Sequence, residues 1–391
     1  MSDVVSDTAE AVPDAIQEPP PLPARPRPRR DPAWVDAVIP TILLRGVILV
    51  VAVLVVVVIR PEALPNGSLL GIWEHWDAPH FFEVARLGYA PPADPARIVI
   101  FPLYPAFIAI GSMVAEPVVA GMLISFAATI VAAVGLYRLI RLDDGRPSAR
   151  LGVLAMSVFP TAFTLVAPYS ESTFLAFAIW AFLFARRGQW REAGVCSLFA
   201  GLARIHGAFI LPALAIEYWL ARGRISRDAG WLLLGAGGPL IYLAINLVTF
   251  GDPLFFVGIQ TSVFQVSTTM PWTGIWNAWQ GAAAVQPTEF WATVYLAPFV
   301  ALVVLGLTTV WTLVGKGGRP SYAVFTGLAF LSFAMLTWPI SVPRYLMGAF
   351  PIFIAAGRLG VRPWLGPPLF VASILLFGLC LTLFVTGHWA F

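Results

Sequence analysis

Asp77 and His80 stand one helical turn apart in the segment GIWEHWDAPHFFEVARLGYAPP, the densest polar and aromatic stretch of a 391-residue chain. A carboxylate and an imidazole three positions apart share one helical face. Trp73, Trp76, Phe81 and Phe82 would surround them with flat apolar surfaces of the kind on which sugars stack. A carboxylate so placed at a membrane surface is a candidate general base, with Trp76 and His80 as candidate substrate contacts. The structural alternative is a helix cap. Asp77 precedes an amphipathic pattern that carries Pro79 in its first turn and stops at Gly88, and on position alone capping is the commoner fate of such an aspartate. The aromatic company and His80 move the balance towards chemistry.

Three more charged residues stand in apolar surroundings. Arg204 has only His206 as a polar neighbour in its stretch. A buried arginine is costly unless paired, so Arg204 needs an anion, either a substrate phosphate or a structural partner in Glu171 or Glu217; the two readings carry equal weight. Arg344 lies between Pro343 and Tyr345 at the end of two apolar spans, better placed to meet an anionic headgroup at the leaflet surface. Glu171 follows Pro168-Tyr169-Ser170, where a structural turn with Ser170 or Ser172 capping the next helix explains the residue types equally well. Glu171 could orient an arginine, bind a sugar hydroxyl or share the acid–base task. Tyr169 and Tyr345, adjoining these charges, join the candidate substrate contacts. Tyr104 and Tyr89 are either sugar contacts or interface aromatics, the second being commoner at this depth. Gly251-Asp252-Pro253 is turn chemistry first, and Arg45 snorkels or pairs.

No Asp-X-Asp pair occurs in the loops assigned to the outer face, and Asp143-Asp144 has no companions, so neither a metal nor a cofactor is expected. Cys196 and Cys380 both lie in apolar segments, and neither a disulfide nor a metal site is expected of them.

The elements that must position these residues are set by composition. Hydrophobic residues make up 59% and charged residues 12% of the chain, and mean hydropathy is +0.81. In soluble domains charged residues are about a quarter, so an all-α polytopic membrane protein is expected. Twenty-four basic residues, all arginine but Lys316, face 21 acidic ones. A net charge of +3 spread over loops gives no reason to invoke nucleic acid. Spans are expected near 38–59, 117–140, 151–168, 172–186, 193–205, 207–220, 229–250, 288–314, 322–341, 345–358 and 364–387, about eleven crossings in all, each near the roughly 20 residues that traverse the hydrocarbon. With 193–220 as a hairpin of two short helices and 99–115 as a juxtamembrane helix, every basic loop falls on one side, the cytoplasm.

Three units follow. Residues 1–36, acidic and then PPPLPARPRPRRDP, read as a disordered cytoplasmic arm. Residues 37–250 form a transmembrane module with a first extracytoplasmic loop at 60–116, too long for a connector. Residues 251–391 form a second module whose outward loop is 251–287.

Several blocks together resemble a known family. Trp76-Asp77-Ala78-Pro79-His80-Phe81, Gly88-Tyr89 and Phe101-Pro102-Leu103-Tyr104-Pro105 are similar to the first-loop pattern of the PIG-V-like (GPI mannosyltransferase 2-like) mannosyltransferases. Phe159-Pro160, Ala167-Pro168-Tyr169-Ser170-Glu171-Ser172, Leu202-Ala203-Arg204 with Gly207, Gly251-Asp252-Pro253-Leu254-Phe255, Pro343-Arg344-Tyr345 and Phe350-Pro351 follow in the family's order, and Gly387-His388-Trp389 adds to the match. The resemblance covers about residue 71 to the end. It implies the GT-C glycosyltransferase fold, with the catalytic carboxylate, Asp77 by position, in the first long extracytoplasmic loop. It also implies a polyprenyl-phosphate-mannose donor, inversion at the anomeric carbon and no metal. The proline and arginine arm and the scarcity of lysine point to a bacterial, actinobacterial version. Its acceptor would be a glycolipid or cell-envelope glycan on the outer face of the plasma membrane.

Two other classes compete. A transporter or flippase of a lipid-linked sugar would also be an apolar bundle, but it calls for a repeat of the first-loop pattern, which the sequence lacks, and for mid-membrane acids, of which Glu217 is the one strong candidate. A non-catalytic subunit of a membrane glycosyltransferase complex would have no need to keep Asp77, Glu171 and Arg344.

Overall fold

A computed structural model describes residues 32–64, 68–285, 290–315 and 317–390. Most of the expected N-terminal arm, residues 1–31, lies outside the described residues. Helix begins at Trp34, so Asp36, expected in the arm, sits inside the first helix.

The chain is all-α. Among the described residues the one β-type pairing is an isolated antiparallel bridge between Thr268 and Leu336. In order, the helices are α1 (Trp34–Ile59), α2 (Ala78–Leu87), α3 (Leu103–Gly111), α4 (Pro117–Ile140), α5 (Arg146–Ser157), α6 (Glu171–Arg186), α7 (Trp190–Ala203), α8 (Ile210–Arg222) and α9 (Arg227–Phe250). They continue with α10 (Phe255–Ser262), α11 (Pro271–Ala283), α12 (Ala292–Val314), α13 (Pro320–Ala334), α14 (Val342–Tyr345), α15 (Pro351–Gly360) and α16 (Gly366–Val385).

Five of these, α1, α4, α9, α12 and α16, are long and apolar enough to cross a membrane. Their outward faces carry exposed Leu, Val and Ile, as on α1 at Leu43, Val47, Val50 and Leu54. The other expected spans are shorter: α5 has 12 residues, α7 has 14 and α8 has 13. They are broken at Pro160, at Arg204 and before Pro343, and such breaks are tolerated where backbone is buried in protein. α6 is a case in point, with most of its side chains buried.

The break expected at 204–207 is present, with Arg204 extended (φ −158°, ψ 154°) between α7 and a short 3₁₀ turn. α7 packs on α6 and α9, and α8 packs mainly on α13 with smaller contacts to α6 and α9. A glycine makes the turn feasible. A Cβ on Gly207 would lie 2.4 Å from the Gly201 Cα, a backbone contact that cannot move aside. Small residues of this kind allow close helix approach where apolar lipid supplies no driving force for association.

The expected basic loops gather at one end. Asp36 accepts from Tyr137 Oη at 2.7 Å and from Arg146 Nε and Arg150 Nε at 2.5 and 2.8 Å. Arg186 joins Asp143 at 2.7 Å and Glu217 at 3.5 Å, and Arg319 reaches Glu217 at 2.5 Å. Arg358 meets Asp144 at 2.7 Å. Glu217, the acid a coupled transporter would need at mid-membrane, is thus neutralised by two arginines and by Ser321 Oγ at 2.6 Å. Single cysteines at the exposed Arg141 and Ser226, introduced with Cys196 and Cys380 replaced, should label from the cytoplasm with an impermeant maleimide, whereas Trp190, buried against Tyr218, is not a useful site for this test. Periplasmic labelling at either exposed site overturns the orientation.

Candidate functional site

The two ends of the bundle differ in kind. Glu171 opens α6 and Arg186 closes it, and with a rise of about 1.5 Å per residue these 16 residues put Glu171 roughly 24 Å from the basic end. Around Glu171 the chain assembles a second charged cluster from four distant segments.

Arg344, on α14, lies between two carboxylates. Its NH2 is 2.7 Å from Asp77 Oδ2 and its Nε is 3.1 Å from Glu171 Oε1. Arg204 NH1 is 2.7 Å from the same Glu171 oxygen and donates to Ser170 Oγ at 3.1 Å. Both guanidinium groups pack on the Tyr345 ring, at 5.0 Å for Arg204 and 5.3 Å for Arg344, and Arg344 also faces Tyr169 at 5.4 Å. The contacts to Glu171 are ion-pair approaches without hydrogen-bond alignment. Glu171 nevertheless gains from its position in the first turn of α6, where the helix dipole favours an anion.

Exposure grades through the cluster in the order a binding site needs. Side-chain accessibility is 1% for Glu171, 6% for Arg344, 13% for Arg204 and 34% for Asp77. Two formal positive and two formal negative charges therefore balance, and Asp77 is the member that faces outward. Its Oδ2 is engaged by Arg344, which leaves Oδ1 for a ligand.

Asp77 occupies the N-cap position of α2 without capping it. Its backbone has helical angles (φ −77°, ψ −20°), not the extended ones of a capping residue, so the carboxylate turns away from the helix and towards Arg344. Ser170, likewise at the N-cap of α6, makes no side-chain cap; its hydroxyl serves Arg204 instead. The capping explanations of both residues do not describe this structure.

Tyr169 is buried behind Asp77. Its hydroxyl donates to the His75 carbonyl at 3.0 Å and accepts from the Asp77 amide at 3.4 Å, so it holds the Asp77 backbone and does not face a substrate. Tyr104 is also withdrawn. It is fully buried, with its hydroxyl on the Gly121 carbonyl at 2.9 Å and on Ser125 Oγ at 2.8 Å, so the expectation that it binds substrate is corrected to a packing role. The expected aromatic surround is smaller too. Trp73, in the short 3₁₀ turn Gly71–Trp73 before α2, is buried against Phe384, and Phe81, on the inward face of α2, is buried against Tyr104 and Tyr169. Trp76 remains exposed beside Asp77. His80 is half-buried on α2, and desolvation, aided by Arg97, lowers its pKa below the usual histidine value, so it is neutral near pH 7.

Arg204 pairs with Glu171, one of the two structural partners weighed for it, and the other, Glu217, belongs to the basic end. Asp252 accepts from the Leu254 amide at 2.8 Å, an Asx turn after Gly251 closes α9, and takes no part in the cluster. Arg45 is buried with one nitrogen donating to the Ala162 carbonyl at 3.2 Å. One feature escapes sequence reasoning: Trp389 returns to lie against Trp76, with ring centroids 4.9 Å apart.

No family model matches the chain, and no curated protein matches it. Among solved structures it is similar to the crystal structure of the Archaeoglobus fulgidus oligosaccharyltransferase tethered with an acceptor peptide containing the NVT sequon, at 11% identity and a TM-score of 0.45. That match covers 89% of this chain and 55% of the other, so the chain spans about half the length of the protein it matches.

Proposed function

We propose that the protein is a membrane-embedded glycosyltransferase of the GT-C type. It transfers mannose from polyprenyl-phosphate-mannose to a glycolipid or cell-envelope glycan at the extracytoplasmic face. The observation that carries this reading is the partly exposed Asp77 carboxylate standing 2.7 Å from the buried Arg344, at the end of the bundle opposite the ion-paired basic loops. The resemblance of the first-loop segment to the PIG-V-like enzymes supplies the sugar and the carrier.

The chemistry needs one base and one cationic surface. As the acceptor hydroxyl attacks the anomeric carbon, its proton passes to Asp77 Oδ1, the new C–O bond forms on one face and the bond to the lipid phosphate breaks on the other. The configuration inverts. The leaving phosphate carries off the bonding pair and is met by the Arg344 and Arg204 guanidinium groups, which match phosphate oxygens geometrically. Glu171 holds both arginines in place, and Trp76 offers its exposed face to a sugar ring. Because a monophosphate leaving group carries less charge than a diphosphate, the arginines suffice in this scheme and no metal is invoked. Glu217, tied up at the basic end, gives the transporter reading no support.

The test is transfer of radiolabelled mannose from synthetic polyprenyl-phosphate-mannose to a lipid extract of the source membrane by the purified protein. Transfer is expected, and excess EDTA should leave its rate within about twofold, since charge stabilisation comes from fixed guanidinium groups. Folded protein that releases no sugar from this donor with any acceptor fraction sinks the mannose assignment. Loss of transfer in EDTA sinks the metal-free scheme.

A further inference from the structure

Trp76 has φ +58°, in the left-handed region that a bulky side chain rarely enters. It is the first central residue of a four-residue turn closed by the Ala78 amide on the His75 carbonyl at 3.3 Å, a position where positive φ ordinarily calls for glycine. A conformation of this sort is strained for a side chain of this size and persists only where the surroundings impose it. The next residue is Asp77. The strained peptide therefore decides where the carboxylate points, and it accompanies the departure of Asp77 from cap geometry.

Two sets of contacts impose the turn. From beneath, Tyr169 Oη bridges the His75 carbonyl and the Asp77 amide. From above, the segment after α16 folds back. Gly387, at φ +76°, turns the chain, a Cβ there would lie 3.5 Å from the His75 ring, and Trp389 presents its ring edge-on to Trp76 at 4.9 Å with planes 83° apart. Phe384 meets the His75 ring at 5.8 Å from the same side. The Trp389 Nε1 makes no hydrogen bond, so that ring is held by shape, whereas the His75 ring, its Nε2 unpartnered, is also tied by a hydrogen bond to the Val385 backbone at the end of α16.

We propose that Trp389 is a positioning residue for Asp77. It clamps Trp76 in its left-handed conformation and so keeps the Asp77 carboxylate on Arg344 and open to the acceptor, instead of relaxing into the cap of α2. Its catalytic consequence rests on the reading of Asp77 as the base. Its structural content does not.

The experiment separates the two. Amide hydrogen exchange of the peptide spanning residues 73–81 is measured by mass spectrometry in wild type, Trp389→Ala and Trp389→Phe, alongside steady-state transfer. Trp389→Ala should raise exchange in that peptide at least about tenfold while α4 and α9 stay protected. It should lower kcat roughly 10- to 100-fold with the donor KM little changed, the size of effect expected when a catalytic group is misplaced by about 1 Å. Trp389→Phe, which keeps an aromatic edge, should restore both within about threefold. In a Trp76→Gly background, where glycine adopts the turn freely, Trp389→Ala should change exchange by less than about twofold. Unchanged exchange in Trp389→Ala overturns the proposal. So does an equally large change in the Trp76→Gly background. If Trp389→Ala loosens the whole bundle, Trp389→Phe decides, because failure to restore protection at 73–81 also overturns it. Wild type that transfers no sugar overturns the glycosyltransferase reading, and exchange then decides the clamp by itself.

Discussion

Asp77→Asn is expected to lower mannose transfer by roughly 10²–10⁴-fold, the range that removing a general base produces. Asparagine keeps the size of the side chain and an oxygen that can accept from Arg344, so the backbone turn at 75–78 has no reason to move. The folded state should notice little. The acid side of the Asp77–Arg344 pair is 34% exposed, and Arg344 retains Glu171 at 3.1 Å. Solvent screening limits the loss to about 1 kcal/mol, a shift of a few degrees in thermal unfolding. The measurement is the transfer rate and the unfolding temperature of the same purified sample. A variant with wild-type rate removes Asp77 from the proton transfer and passes the role to another group. A variant that fails to fold says that the pair with Arg344 is structural.

How far the site could be read beforehand depended on the range of the interactions. The break at Arg204 and Gly207, the short helix α3 and the gathering of basic loops at one end of the bundle follow from local rules: glycine and charge inside an apolar run, prolines in a first turn, arginines between apolar segments. These are visible in a string of residues. The clustering of Asp77, Glu171, Arg204 and Arg344 has no local signature beyond the need of a buried arginine for an anion.

Local rules also misdirected. Asp77 and Ser170 stand where helix caps stand, but neither side chain caps, because each is recruited by an arginine from a remote segment. Tyr104 carries an inviting hydroxyl, yet Gly121 lets α4 come close enough for its carbonyl and Ser125 to take that hydroxyl inward. The left-handed Trp76 could not be foreseen at all, since nothing in WEHWDAPH distinguishes it from an ordinary residue. The contacts that impose it come from far along the chain, from Tyr169 and from Trp389.

Glu171→Ala should be the most destabilising single change at this end of the bundle. It leaves Arg204 and Arg344, both largely buried, without their shared carboxylate. Removing one partner of a buried ion pair costs about 3–5 kcal/mol because the other charge is left uncompensated. Arg344 keeps Asp77, whereas Arg204 keeps the Ser170 hydroxyl and the Tyr345 ring but no anion, so Arg204 should account for most of the loss. This makes a sharper experiment available. Replacing both members by apolar residues of similar size, Glu171→Leu with Arg204→Met, removes the desolvation cost along with the attraction and often comes out near neutral. The double variant is expected to recover most of the unfolding temperature lost in Glu171→Ala and to remain at least about a hundredfold slower in transfer, because a cation aimed at the departing phosphate is gone. Unfolding temperature and rate, measured on the single and double variants together, separate the two uses of the pair. Recovery of both stability and transfer would make Arg204 and Glu171 a structural strut alone, and would leave Arg344 as the cation that faces the donor.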